Sequence, residues 1–164
     1  MEAEGYVSLR EFTEADAEAL LEWASDPRVV RFQRRDAYTH VDEARRYIID
    51  HVLPFCRTRG TAPSAASLGY LVARAHWGRG VATRAVSAAA EAVFAEWPWL
   101  VRLEAIADVE NPASQRVLEK AGFTREGVLR RYVVLKGRPS RDVVMFSFVR
   151  GDGEVKPAEV ATHS

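Results

Sequence analysis

The sequence predicts an α/β chain folded around a mixed sheet, and three observations lead there. An apolar run of strand length, "LGYLVARA" from Leu68 to Ala75, leads straight into helical spacing that stops at Pro98. An alternating run, "VRLEAIADV" from Val101 to Val109, leads into a second helix. Two more apolar runs around "KGRPS" close the pattern as a hairpin. Successive strand–helix–strand connections imply parallel or mixed pairing.

Taken in order, "YVSLREF" from Tyr6 to Phe12 reads as a short strand. "TEADAEALLEWASD" is the first helix, with Thr13 as N-cap and Asp16 three residues on, a variant of the capping box. "THVDEARRYIIDHVLP" repeats the device with Thr39 and Asp42, sets Ala44, Ile48 and Val52 on one face, and stops at Pro54. Phe55 to Ser67 has small residues, arginines and a proline but no alternating apolar run, so it reads as a loop. From Val81 to Trp97, Ala82, Ala85, Val86, Ala89, Val93 and Trp97 recur at helical spacing. Val101, Leu103, Ala105 and Ala107 then form the apolar face of a strand. "NPASQRVLEKAGF" opens with Asn111 as N-cap and Pro112 at the first helical position, and Gly122 stands where a helix stops. One domain over residues 1–150 is expected, followed by a polar tail, 151–164, expected to be disordered.

Composition narrows the function classes. Lys plus Arg and Asp plus Glu both number 23, which gives no reason to expect a nucleic acid or an anionic membrane as partner. The single cysteine, Cys56, excludes an internal disulfide and a thiolate zinc site, and the four histidines show no metal spacing, so no metal is expected. The acidic N-terminus lacks a signal-like apolar core and no run of membrane-spanning length occurs, which predicts a cytoplasmic protein.

"HWGRGVATRAV" carries the chemistry: Gly78 and Gly80 sit immediately before a long helix. The first N–H groups of a helix lack intrahelical partners, and the helix dipole adds positive charge at that end. Glycines there allow positive φ and a close approach, so that successive N–H groups turn inward on an anion such as phosphate. Arg74, Arg79 and Arg84 would add charge. Two turn glycines beside three solvated arginines is the other reading of this stretch. The spacing fits neither GxxxxGK(S/T) nor GxGxxG.

With these residues in view, the sequence resembles the GNAT N-acetyltransferases, in the branch of the ribosomal-protein acetyltransferases RimJ and RimL. The signature Q/R-x-x-G-x-G/A falls on Trp77-Gly78-Arg79-Gly80-Val81-Ala82, with Trp77 in the first place, and N-x-x-S falls on Asn111-Pro112-Ala113-Ser114 ahead of "EKAGF". The resemblance implies a GNAT fold and acetyl-coenzyme A as donor. It implies that Tyr70, Leu71 and Val72 hold the pantetheine and acetyl group in a V-shaped opening between two strands. Gly78, Arg79, Gly80, Val81, Ala82 and Thr83 would hold the pyrophosphate, and Asn111 would contact the pantetheine. The acetyl group would pass directly to a primary amine, a protein or peptide N-terminus or a small amine. A coenzyme A-binding protein with little or no activity is the reading from another class.

The pattern also departs from its family. Relatives carry a glutamate base five residues before the asparagine, where this chain has Ile106; Glu104 and Asp108 lie on the same strand face, with Glu104 taken as the substitute base and an arginine ion pair as the alternative role. The tyrosine that protonates the leaving thiolate is replaced by Leu118, and the branch suggests Ser114 instead, unless its hydroxyl caps the helix. The family's hairpin between the second helix and "LGYLVARA" has no room in Phe55 to Ser67, so the fold is expected to be shortened by one β-hairpin.

Overall fold

The computed structural model describes residues 7–52, 65–134, 137 and 139–152. A 3-10 turn, Glu14–Asp16, leads into α1, Ala17–Ala24. Asp16 accepts a hydrogen bond from Thr13 N–H at 2.8 Å, so the first capping box is where the sequence placed it. Helix α2, Val41–Tyr47, continues as a π turn, Ile48–Val52. Its cap differs by one residue from expectation: His40 is the N-cap, and Glu43 accepts from Thr39 N–H at 2.7 Å and His40 N–H at 3.1 Å. Asp42 pairs with Arg45 instead, at 2.7 Å.

The sheet contains β1 (Ala65–Ser67), β2 (Arg102–Asp108), β3 (Thr124–Val133) and β4 (Arg141–Val149) in the order β1-β2-β4-β3. β1 runs parallel to β2, and the other two pairs are antiparallel, as expected of a mixed sheet. Between them lie α3, Val81–Glu96, and α4, Pro112–Lys120. Asn111 caps α4 by accepting from Ser114 N–H at 3.2 Å.

Two strand expectations are corrected. Val7 to Phe12 takes no strand conformation, and Tyr6 lies outside the described residues. The strand expected at Leu68–Ala75 is earlier, at Ala65–Ser67, inside the segment read as a loop; the rest of that segment up to residue 64, with Pro54, lies outside the described residues. Pairing to Arg102–Glu104 selects the small residues Ala65 and Ala66, whatever their own propensity. The tail from residue 153 also lies outside the described residues.

The main core joins Val86 and Ala90 of α3 to Leu103, Ala105 and Ala107 of β2, Leu118 of α4, and Val144 and Phe146 of β4. Phe146 and Leu118 are fully buried, each worth about 1.5–3 kcal/mol in apolar area removed from water. A second cluster, Ala17, Leu20, Ala24, Val30, Ala44 and Ile48, locks α1 to α2.

Candidate active site

The site begins where the sheet fails to continue. Leu68 N–H donates to Glu104 O at 2.7 Å, and from Gly69 onward the chain leaves the ladder while β2 runs on to Asp108. The parting opens a cleft of about 1590 Å³. Tyr70, Leu71 and Val72 line it on the departing segment, Gly78, Gly80, Val81, Ala82 and Thr83 at the start of α3, and Asn111 and Ser114 at the start of α4. The structure therefore brings together every residue that the sequence assigned to the donor, except that Arg79 does not line the cleft.

Both signature glycines adopt the left-handed conformation, Gly78 at φ 72° and Gly80 at φ 70°, Gly80 being the N-cap of α3. The first intrahelical bond runs from Arg84 N–H to Gly80 O at 3.1 Å, so the N–H groups of Val81, Ala82 and Thr83 have no partner inside the helix. A Cβ on Gly78 would meet nothing within 4 Å. Empty space in front of unpaired N–H groups suits a bound anion, and the residues present fit the phosphates of coenzyme A. Trp77 adds a contact the sequence did not disclose: its indole N–H donates to Val72 O at 2.8 Å, tying the departing segment to the glycine turn.

Opposite the turn, the Tyr70 and Ser114 hydroxyls are 2.6 Å apart, and the Tyr70 hydroxyl also lies 3.1 Å from Ser114 O. Burial pushes the Tyr70 phenol up from its ordinary value, although the bond to Ser114 opposes this, and so Tyr70 stays protonated near neutrality. The cap of α4 is made by the Asn111 side chain. The Ser114 hydroxyl is turned to Tyr70 and the cleft, where it can move a proton.

Glu104 is placed elsewhere. It accepts from Arg102 Nε at 2.7 Å, and the same guanidinium holds Glu126 through two bonds of 2.7 and 2.6 Å, with Ser147 donating to Glu126 at 2.6 Å. It does not line the cleft. Of the two carboxylates singled out on that strand face, Asp108 lines it. Burial raises the Asp108 pKa, but Arg141, gripping both oxygens at 2.6 and 2.7 Å, and Glu110 N–H at 2.8 Å outweigh it and hold the carboxyl below its ordinary value. A carboxylate so held is a poor proton acceptor. Among the described residues, no group of three or more His, Cys, Asp or Glu is gathered that could hold a metal ion.

The far wall comes from the α1–α2 connection and α2, and no sequence motif marks it. Arg35 lies over the Tyr47 ring at 4.1 Å and the Tyr38 ring at 5.0 Å, and His51 stacks on Tyr47 at 5.3 Å.

A family model, the acetyltransferase (GNAT) domain, matches residues 52–124. An uncharacterized N-acetyltransferase of Bacillus licheniformis, p20, is 30% identical over 167 aligned positions, which cover 88% of this chain and 93% of p20. The chain belongs to the GNAT acetyltransferase family. Its fold is that of solved GNAT enzymes. One is the aminoglycoside acetyltransferase AAC(6')-Ib with coenzyme A and kanamycin, at TM-score 0.68 and 20% identity over 87% of this chain and 94% of the other. Another is the spermidine N-acetyltransferase of Vibrio cholerae with coenzyme A and spermine, at TM-score 0.71 and 18% identity over 88% and 96%. The chain is thus an acetyl-coenzyme A-dependent N-acetyltransferase of GNAT type. No helix among its described residues is long and apolar enough to cross a membrane.

Proposed function

We propose that this GNAT enzyme moves the acetyl group of acetyl-coenzyme A directly to the primary amine of a protein or peptide N-terminus, as a RimJ/RimL-like member of the family. The observation that carries this reading is one cleft in which unladdered backbone, a positive-φ glycine turn and a half-buried hydroxyl pair meet. Tyr70, Leu71 and Val72 offer backbone groups that pair with the pantetheine amides in place of a strand. Gly78, Gly80, Val81, Ala82 and Thr83 hold the pyrophosphate through N–H groups, and Asn111 borders the pantetheine. Acetyl-coenzyme A supplies the activated thioester; a backbone N–H near Leu71 or Val72 polarises its carbonyl. Ser114 donates the proton that the departing sulfur takes up, backed by Tyr70.

The acceptor assignment follows from the missing base. Glu104 faces away in an ion pair, and Asp108 is held by Arg141. An α-amine near pKa 8 is roughly 10% neutral at pH 7, whereas a lysine near 10.4 is neutral in fewer than about one molecule in a thousand. A site in which neither of these two carboxylates is free to act as the base therefore suits an α-amine. Coenzyme A affinity, measured beside thioester turnover over N-terminal peptides, lysine peptides and small amines, tests the reading. Faster turnover on lysine peptides than on matched N-termini would remove it.

A specific observation supports the second reading, weak transfer by a shortened chain. The p20 alignment runs over 167 positions, but 88% of 164 residues is about 144, so about 23 positions are filled in p20 alone. We infer that they include the hairpin between α2 and β1. Its loss accounts for Val7–Phe12 having no place in the sheet.

A further inference from the structure

Two sets of arginines among the described residues differ in their partners. Arg28, Arg102, Arg131, Arg141 and Arg150 all donate to a carboxylate, hydroxyl or carbonyl oxygen. Arg31, Arg34, Arg35 and Arg46 line the far wall of the cleft with no hydrogen bond or ion pair to a side chain among the described residues. Arg31 lines the same cleft as Asp108 and the hydroxyl pair. Arg35 lies over the Tyr47 ring with the Tyr38 ring on a second side, so the two tyrosines restrict its orientation before any ligand arrives. Its Nε and the Tyr38 hydroxyl are both buried without a hydrogen-bond partner among the described residues. Little anionic charge opposes this wall: Glu43 is taken by the N–H groups of Thr39 and His40, Asp108 by Arg141, and Asp50 is left.

We propose that this wall is an anion receptor for the acceptor, and that the enzyme acetylates amines whose carrier bears carboxylates near the amine, an acidic peptide N-terminus above all. The inference rests on the reading of the cleft as an acetyltransferase site and adds its substrate class. Planar guanidinium groups grip carboxylates through two parallel bonds, and four of them spread over the α1–α2 connection and α2 match several acidic groups better than one. The same wall repels a polycation. Kanamycin and spermine, the ligands of the two solved enzymes above, are polycations, so this chain shares their fold but not their acceptor charge.

The experiment compares, in the whole protein loaded with coenzyme A for binding and supplied with acetyl-coenzyme A for turnover, peptides of equal length with Asp or Glu, neutral residues, or Lys at positions two to four, together with free glutamate, kanamycin and spermidine. Both binding and thioester turnover are read. The acidic peptide is expected to exceed the neutral one at least about tenfold in kcat/KM, the equivalent of one charge-assisted hydrogen bond, and to lose this advantage as salt shortens the Debye length. Turnover of glutamate alone would locate the receptor's ligand in a small dicarboxylate. Arg34→Glu with Arg46→Glu, both on exposed positions, should raise KM for the acidic peptide about tenfold or more and narrow the gap to the basic one, with coenzyme A affinity unchanged. Arg35→Lys keeps the charge but loses the stacked fork, and should weaken acidic-peptide binding while the protein remains folded. Binding of the acidic peptide without turnover would sustain the receptor and remove the acetyltransferase reading. Equal or better binding of neutral or basic acceptors would overturn the inference, whatever the turnover.

Discussion

Replacing Ser114 by alanine separates chemistry from structure unusually well at this site. The helix cap survives, because Asn111 Oδ1 accepts from the Ser114 backbone N–H, which alanine retains. The Tyr70 hydroxyl keeps a partner too, the Ser114 carbonyl at 3.1 Å. One side-chain hydrogen bond of 2.6 Å is lost, worth about 1 kcal/mol net, or a fall in Tm of roughly 2–4 °C for a chain of this size. A group that delivers a proton in the transition state contributes about 10²–10⁴-fold in rate. Ser114→Ala should therefore lower kcat by two to four orders of magnitude with coenzyme A affinity almost unchanged and a small loss in Tm. Tyr70→Phe should lower kcat less, since it removes only the backing of the donor. The assays are continuous thiol release and thermal unfolding on the same samples. A rate within a factor of three of the parent, with the small Tm loss present, would refute the proton-donor role and leave the hydroxyl pair as packing.

Gly78→Ala adds a Cβ into open space at φ 72°, so it should cost only about 1–2 kcal/mol of backbone strain yet lower coenzyme A affinity at least about tenfold; calorimetric titration checks it. Gly80→Val should lose more of both, since the β-branched side chain also meets Arg84 Nη1 from a Cβ at 3.1 Å. Because Asp108 titrates below its ordinary range in the folded protein, its contribution to stability is present above about pH 4 and lost as pH falls through the lower folded value. Asp108→Asn should thus destabilise by about 2 kcal/mol at pH 7, with the difference from the parent shrinking below pH 4 in urea unfolding. Inserting the extra p20 segment between Cys56 and Ala65 should raise both Tm and turnover; no gain in either would refute the inferred loss of a hairpin.

The parts of the fold legible in the sequence are those whose signals are local. Asn111, Pro112 and Gly122 bracket α4, alternation marks β2, and the glycines before Val81 mark both a helix start and a binding turn. β1 was illegible because its three small residues become a strand only by pairing with Arg102–Glu104. Conversely, Leu68–Ala75 looks like the better strand because its apolar side chains are needed on both sides of a segment that leaves the sheet. The hydroxyl pair joins residues 44 apart, and the arginine wall draws on positions 31 to 46 whose charges look like a solvated run until α1 and α2 pack. No local pattern encodes either.

That departing segment explains why donor and acceptor sides of the site can differ in origin. Leu68 and Tyr70 pack into the sheet core with α3 and α4, while Leu71, facing the other way, packs into the α1–α2 cluster with Tyr38 and Tyr47. The cleft is the seam between these two apolar clusters. The donor half, glycine turn and hydroxyl pair included, is built on the sheet core and carries the family signatures. The acceptor half rides on the α1–α2 cluster, whose exposed arginines Arg31, Arg34 and Arg46 can change sign without disturbing the donor half. One scaffold can thus keep a fixed donor site while the charge of its acceptor wall changes, in this chain to suit an acidic amine.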